Sequence, residues 1–170
     1  MADWFRQFWA GFHADFFDLP DGAHVAQIVG RLLVAAAVGG VLGYDREQKG
    51  KAAGMRTHML VALAAAFFVV AGLQAGMTNA DLSRVIQGIA AGIGFLGAGT
   101  ILKQSAERQV HGLTTAASLY LTTAIGVAAG LGRELTVILG TALALAVLAL
   151  LPHVERRFRG DGPTDDRRTA

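Results

Sequence analysis

Five apolar stretches, each of about 18–20 residues, constrain this chain more than any other feature. They run over residues 25–43, 57–76, 83–102, 112–131 and 134–151. At about 1.5 Å per residue each covers roughly 27–30 Å, the thickness of a bilayer's hydrocarbon core. Backbone N–H and C=O groups inside that core must bond within the protein, which leaves helices or a closed barrel. No stretch alternates apolar and polar residues for long, so helices are the reading. The expected fold class is an all-α membrane protein: a compact bundle of five transmembrane helices with an N-terminal amphipathic interfacial helix.

Composition supports this. Hydrophobic residues make up 53% of the chain and charged residues 16%, against about 25% charged in a soluble domain. A net charge of +2 gives no reason to expect nucleic acid as a partner. Cysteine is absent, which removes disulfides, thiolate metal sites and thiol nucleophiles. The N-terminus lacks a basic region and a small-residue cleavage site, so the first span reads as retained.

Three segments are expected. Residues 1–22 form an N-terminal segment in which Trp4, Phe8, Phe12 and Phe16 recur every four residues, with Phe5 and Trp9 beside them. That spacing is an aromatic stripe on a helix, which suits either the bilayer interface or the side of the bundle. Leu19-Pro20-Asp21-Gly22 ends it. Residues 23–152 form the transmembrane domain. Residues 153–170 are a charged tail, expected to be disordered beyond Phe158.

Basic residues orient the bundle. Arg46, Lys49, Lys51, Arg56, Lys103, Arg108, Arg156, Arg157, Arg159, Arg167 and Arg168 share one side, and Arg6, Arg84 and Arg133 the other. Such a bias puts the C-terminus in the cytoplasm and the N-terminus outside.

Glycines sit four apart inside three spans: Gly39 and Gly43, Gly88 and Gly92, Gly126 and Gly130. Small residues at this spacing let helix backbones approach closely, either within one chain or in a homodimer. Gly92-Ile93-Gly94-Phe95-Leu96-Gly97 formally matches a dinucleotide fingerprint but lacks the strand that motif requires. The run Gly92, Gly94, Gly97 and Gly99 reads as close helix contact, with a locally broken, ion-binding helix as the alternative.

Arg31 lies well inside the first span, where a charge is costly and often functional. It is expected to pair with Asp81 or Glu134, or to extend outward along its stem. Asp45, Arg46 and Glu47 end the first span, and Arg56, Thr57 and His58 open the second at the same surface. These residues form the candidate functional cluster. Asp45 and Glu47 are candidate Mg²⁺ ligands; the alternative is an ion-pair network with Arg46 and Arg56. His58 reads as a hydrogen-bonding residue at a helix end, because no second His or Cys stands at ligand spacing. Thr115, Ser118 and Thr122 form a hydroxyl stripe for helix packing or, alternatively, a narrow polar path.

The chain resembles the MgtC/SapB family of bacterial inner-membrane proteins. The likeness rests on four segments in order: Arg31-Leu32-Leu33 through Gly43-Tyr44-Asp45-Arg46-Glu47, Gly54-Met55-Arg56-Thr57-His58 through Leu63, Gly92 through Ile101, and His111-Gly112-Leu113-Thr114-Thr115 through Leu119. Tyr44 stands where the family pattern suggests an aliphatic residue. The resemblance implies five spans, a cytoplasmic C-terminus, and a role in growth at low magnesium and survival inside host cells. It implies no cofactor, with Mg²⁺ as the one ion in view, and it makes ATP synthase a candidate partner. Many members carry a soluble ACT-like domain after the last span. About twenty residues follow Leu151 here, so the expectation is a chain without it.

No nucleophile–base pair or phosphate-binding loop is visible, and no enzyme is expected. Three readings remain: a regulator acting through a membrane partner, a transporter or channel for Mg²⁺ or another small solute, and a purely structural dimer. Transport requires a polar path from Asp45 to Arg31.

Overall fold

A computed structural model describes residues 2–16, 21–103 and 110–159. Six helices follow one another among these residues: α1 (Ala2–Phe16), α2 (Gly22–Gln48), α3 (Met55–Gln74), α4 (Asn79–Thr100), α5 (Leu113–Gly130) and α6 (Glu134–Arg159). Helices α2 to α6 are all long and apolar enough to cross a membrane. The chain is therefore an all-α, multi-pass membrane bundle. Among the described residues the one strand pairing is a two-residue antiparallel pair between α4 and α5, Leu102–Lys103 (β1) with Val110–His111 (β2). Arg108, Arg167 and Arg168 of the charge count lie outside the described residues.

The helices run up and down, which gives the bundle two ends. The loop end holds residues 49–54 and the β1–β2 pair; the turn end holds residues 75–78 and 131–133. Polar residues mark two of the helix starts. Asp21 Oδ1 accepts from Ala23 N at 2.8 Å and starts α2. Thr78 and Asp81 form a reciprocal capping box at α4, which satisfies N–H groups that no helical carbonyl can reach. Helices α2, α3 and α5 each end two residues before a left-handed glycine: Gly50, Gly76 and Gly132. In each case the next residue's N–H returns to a carbonyl five back, as from Arg133 to Ala128 at 3.0 Å. This is the Schellman closure, and glycine adopts its positive φ without strain.

Helix α3 is the centre of the bundle, clasped between α2 and α5. A Cβ at Gly39 would lie 2.5 Å from the His58 carbonyl oxygen, and one at Gly43 the same 2.5 Å from Met55 Cα. On the opposite side, a Cβ at Gly126 would strike the Ala62 carbonyl oxygen and one at Gly130 would lie 2.8 Å from that of Ala66. Two of the three glycine pairs are thus consumed inside the chain. The third is not, because nothing lies within 4 Å of a Cβ at Gly88 or Gly92.

The apolar core follows from this clasp. Ala35, Leu42, Ala62, Ala66, Ile125, Ala129, Val137 and Ala144 form one buried cluster. Alanine dominates because backbones this close leave no room for larger side chains, and contact between them replaces hydrophobic burial as the source of cohesion in lipid. A second cluster joins Ala53 of the loop to Ile93 and Leu119. In α1, Trp4 is 68% and Phe8 54% exposed, and the two rings stack at 5.6 Å. Such an uncovered aromatic face fits an interfacial helix.

Candidate functional site

At the loop end the clasp encloses polar side chains. His58 is 0% and Arg46 2% exposed. Arg46 follows Gly39, Leu42 and Gly43 on the buried face of α2, so the helical spacing that buries the glycines carries the guanidinium inward with them. Its Nε and Nη2 are buried without a hydrogen-bond partner. His58 lies on α3 facing α5. Its Nδ1 meets the Gly54 carbonyl at 3.0 Å, and its Nε2 meets Ser118 Oγ at 3.2 Å. Ser118 Oγ in turn donates to the Thr115 carbonyl at 2.8 Å, and Thr122 Oγ1 donates to the Ser118 carbonyl at 2.8 Å.

The hydroxyl stripe is therefore an inward face, with Thr115, Ser118 and Thr122 all buried. Its bonds run mainly back to α5's own backbone, as hydroxyls in helices often do. Ser118 alone reaches across to another helix.

The rest of the expected cluster stays outside this centre. Asp45 pairs with Lys49 at 2.8 Å, one helical turn on, rather than with Arg46 or Arg56. Lys49 Nζ also donates to the Leu148 carbonyl of α6 at 2.9 Å. Glu47 Oε2 accepts from Met55 N at 2.8 Å. Gly54, the residue before α3, has no side chain to cap it, so the carboxylate of the preceding helix serves instead. Arg56 and Thr57 are exposed. The two candidate Mg²⁺ ligands thus have separate partners. Among the described residues no group of three or more His, Cys, Asp or Glu side chains is placed to hold a metal ion.

The glycine run of α4 lies within one continuous helix, Asn79–Thr100, so no break exposes carbonyls. Gly97 packs on α5, where a Cβ would lie 3.5 Å from Ala116 Cβ. Nothing lies within 4 Å of a Cβ at Gly92, Gly94 or Gly99. Close helix contact therefore holds for Gly97 alone.

Arg31 lies toward the turn end and pairs with neither expected acid. The ion pairs among the described residues are Arg6–Asp3, Lys49–Asp45 and Arg84–Asp81. Instead Arg31 Nη1 donates to the Gly130 carbonyl at 3.2 Å, at the last turn of α5. A Cβ at Gly132 would lie 2.8 Å from Arg31 Nη2. The guanidinium thus lies against the α5–α6 turn, where a cation meets the negative end of the helix dipole.

Arg31 also borders a polar cavity of about 630 Å³, shared with His24, Gln27, Asn79, Ser83 and Arg133. No Asp or Glu lines it. An apolar groove of about 640 Å³ lies between α3 and α4, lined by Leu60, Ala64, Phe68, Gly88, Gly92 and Leu96 among others. Sequence reading missed both the cavity and the burial of Arg46. The repeat Gly39, Gly43, Arg46 carried a signal for the second.

Comparison with known proteins adds to this geometry. The chain matches the model of the MgtC family over residues 32–157. Protein SrpB of Synechococcus elongatus is 44% identical over 138 residues, which takes in 74% of this chain and 75% of SrpB. YhiD of Escherichia coli, named as a candidate magnesium transporter, is 36% identical over 140 residues, 78% of this chain and 64% of YhiD. Protein MgtC of Brucella abortus is 42% identical over 118 residues, 69% of this chain and 48% of that protein. The chain thus spans about half to two thirds of the last two relatives. No solved structure matches it.

Proposed function

The chain belongs to the MgtC family, and from that membership we propose that it is an inner-membrane protein of magnesium homeostasis that regulates through contact with a membrane partner. One observation carries regulation over conduction. The space between Arg46 and Arg31 is filled by Ala35, Leu42, Ala62 and Ala66, each at most 2% exposed. A hydrated divalent cation needs oxygen ligands along its way; here the space carries methyl groups, and the buried hydroxyls of Ser118 and Thr122 on α5 are turned back onto that helix's own carbonyls. Asp45 and Glu47 are engaged by Lys49 and by the Met55 N–H.

The excess of basic residues at the loop end supports an orientation with that end in the cytoplasm. A buried charge within a span is expensive to keep and is a mark of function. On this reading Arg46, held by α2 beside His58, is the residue whose state the partner senses.

A second reading is transport. It is favoured by the polar cavity at the turn end and by the name of YhiD. Magnesium flux into proteoliposomes with an entrapped dye separates the two. The regulator reading expects no flux above empty liposomes from the folded, inserted chain. It also expects the chain to restore growth of a deletion strain at low magnesium. Saturable flux that Asp45→Ala abolishes would overturn it in favour of transport.

A further inference from the structure

We propose that the cavity at the turn end binds a phosphate monoester, with its phosphate group held between Arg31 and Arg133.

The cavity holds about 630 Å³ and is walled by the starts of α2 and α4, the end of α3 and the α5–α6 turn. Its charge is of one sign. Two arginines line it, and no Asp or Glu does. The acids of this end are placed otherwise. Asp21 Oδ1 caps Ala23 N at 2.8 Å. Asp81 accepts from Thr78 Oγ1 at 2.6 Å and pairs with Arg84. Glu134 borders Arg31 from a separate, smaller cavity, and no ion pair joins the two among the described residues.

The donors of the cavity are largely unspent. Arg133 is exposed, and its guanidinium has no hydrogen bond or ion pair among the described residues. The side chains of His24, Gln27, Gln74 and Asn79 on the same walls have none either. Arg31 presents five N–H donors and uses one, toward the Gly130 carbonyl. Its Nη2 lies 2.8 Å from where a Cβ of Gly132 would stand, so the turn sets Arg31 beside the residue that precedes Arg133.

A cleft lined by one sign of charge focuses its field on the opposite sign. Guanidinium forks match the paired oxygens of a phosphate. A phosphate monoester carries about −1.5 to −2 at pH 7, which two guanidinium groups balance. The same charge repels Mg²⁺, so the site stands apart from both readings of magnesium function. A space within about 300–1,000 Å³ is of the size that takes a small organic molecule. Val70 and Leu82 are buried and Ile28 and Ile86 half-buried along its wall, an apolar surface for the organic part of the ester.

The test is calorimetric titration of the full chain, in an uncharged maltoside micelle, with glycerol 3-phosphate. One glycerol phosphate should bind per chain, inorganic phosphate should compete, and glycerol should not bind. Arg133→Gln should weaken binding about tenfold, the share of one hydrogen bond to a charged group. Arg133→Lys should recover part of that loss, because the charge stays while the fork goes. Ser83→Glu puts a carboxylate in the cavity wall and should abolish binding. Arg133 and Ser83 are both exposed, and thermal unfolding verifies that the variants fold. Arg56→Gln, an exposed arginine at the loop end, should change nothing. A phosphate monoester can also arrive on a lipid, so phosphatidic acid is titrated in the same micelle and followed by native mass spectrometry. The tighter of the two ligands, with the same dependence on Arg133 and Ser83, marks the source as soluble or lipid. Failure of both to bind overturns the proposal. Binding that survives Ser83→Glu lies outside the cavity and overturns it too. Equal losses from Arg133→Gln and Arg56→Gln would do the same, because the attraction would then be diffuse.

Discussion

His58 Nε2 lies 3.2 Å from Ser118 Oγ, the one hydrogen bond between side chains of two spans among the described residues. The Gly54 carbonyl beside Nδ1 only accepts, so Nδ1 carries a proton. Ser118 has a single hydroxyl proton and two acceptors in reach, the Thr115 carbonyl and a neutral Nε2. The pair therefore joins α3 to α5 through a bond that competes with α5's own backbone. Ser118→Ala should leave Nε2 buried and unpaired at a cost of about 1–2 kcal/mol. In a His58→Leu background the same change should cost under about 0.5 kcal/mol. Unfolding in mixed micelles measures both arms of this cycle. Equal costs in the two backgrounds would show that the two side chains are not coupled.

The three glycine pairs should respond to alanine with opposite signs. At Gly126 the added methyl meets the backbone of Ala62, which cannot turn aside as a side chain can. Gly126→Ala should therefore destabilise by about 1–3 kcal/mol. At Gly92 the methyl meets open space, and alanine is the better helix former by up to about 1 kcal/mol. Gly92→Ala should be neutral or stabilising in the same assay. A loss at Gly92 as large as at Gly126 would contradict the assignment of α4's outer face.

Arg31 and Gly132 should fail together. Gly132 has φ +70°, and left-handed backbone costs an L-residue about 1–2 kcal/mol. A side chain there would also displace the guanidinium that caps α5. Gly132→Ala should lower stability by at least that amount. Arg31→Met should lose about 1 kcal/mol, the worth of a cation at a helix C-terminus. Arg31→Met added to Gly132→Ala should cost less than it does alone, because the cap is already displaced. Strict additivity would separate the two residues.

The spans were legible in the sequence because length, hydropathy and the need for internal backbone bonding all bear on each stretch independently. The partners of the glycines were less legible. Gly39/Gly43, Gly88/Gly92 and Gly126/Gly130 share one spacing, and spacing does not say whether a neighbour is present. Arg46 read as a member of a polar cluster or ion-pair network and His58 as a hydrogen-bonding residue at a helix end, and the burial of both went unread. Helical phase from Gly39 and Gly43 is what draws Arg46 inward. Arg31 was expected to pair with a carboxylate or to extend outward along its stem; it donates instead to the carbonyl of Gly130, a residue that the sequence marked for helix packing alone. Asp45 found its cation one turn ahead in Lys49, an i,i+4 pair that the search across the loop passed over.

Arg46 offers the sharpest separation of stability from function. A cation that is 2% exposed, with two nitrogens unpartnered, is costly to hold in a span. Replacing a buried charge by an apolar side chain of similar volume is often neutral or stabilising by about 1–4 kcal/mol. Arg46→Met should therefore unfold at the native temperature or above it. If the charge is kept for what it does, the same variant should fail to restore growth of a deletion strain at low magnesium. Arg46→Lys should restore growth in part, because the charge remains while the planar fork is lost. A variant that is less stable yet fully active would make Arg46 a structural residue. It would also remove Arg46 from the proposed regulation.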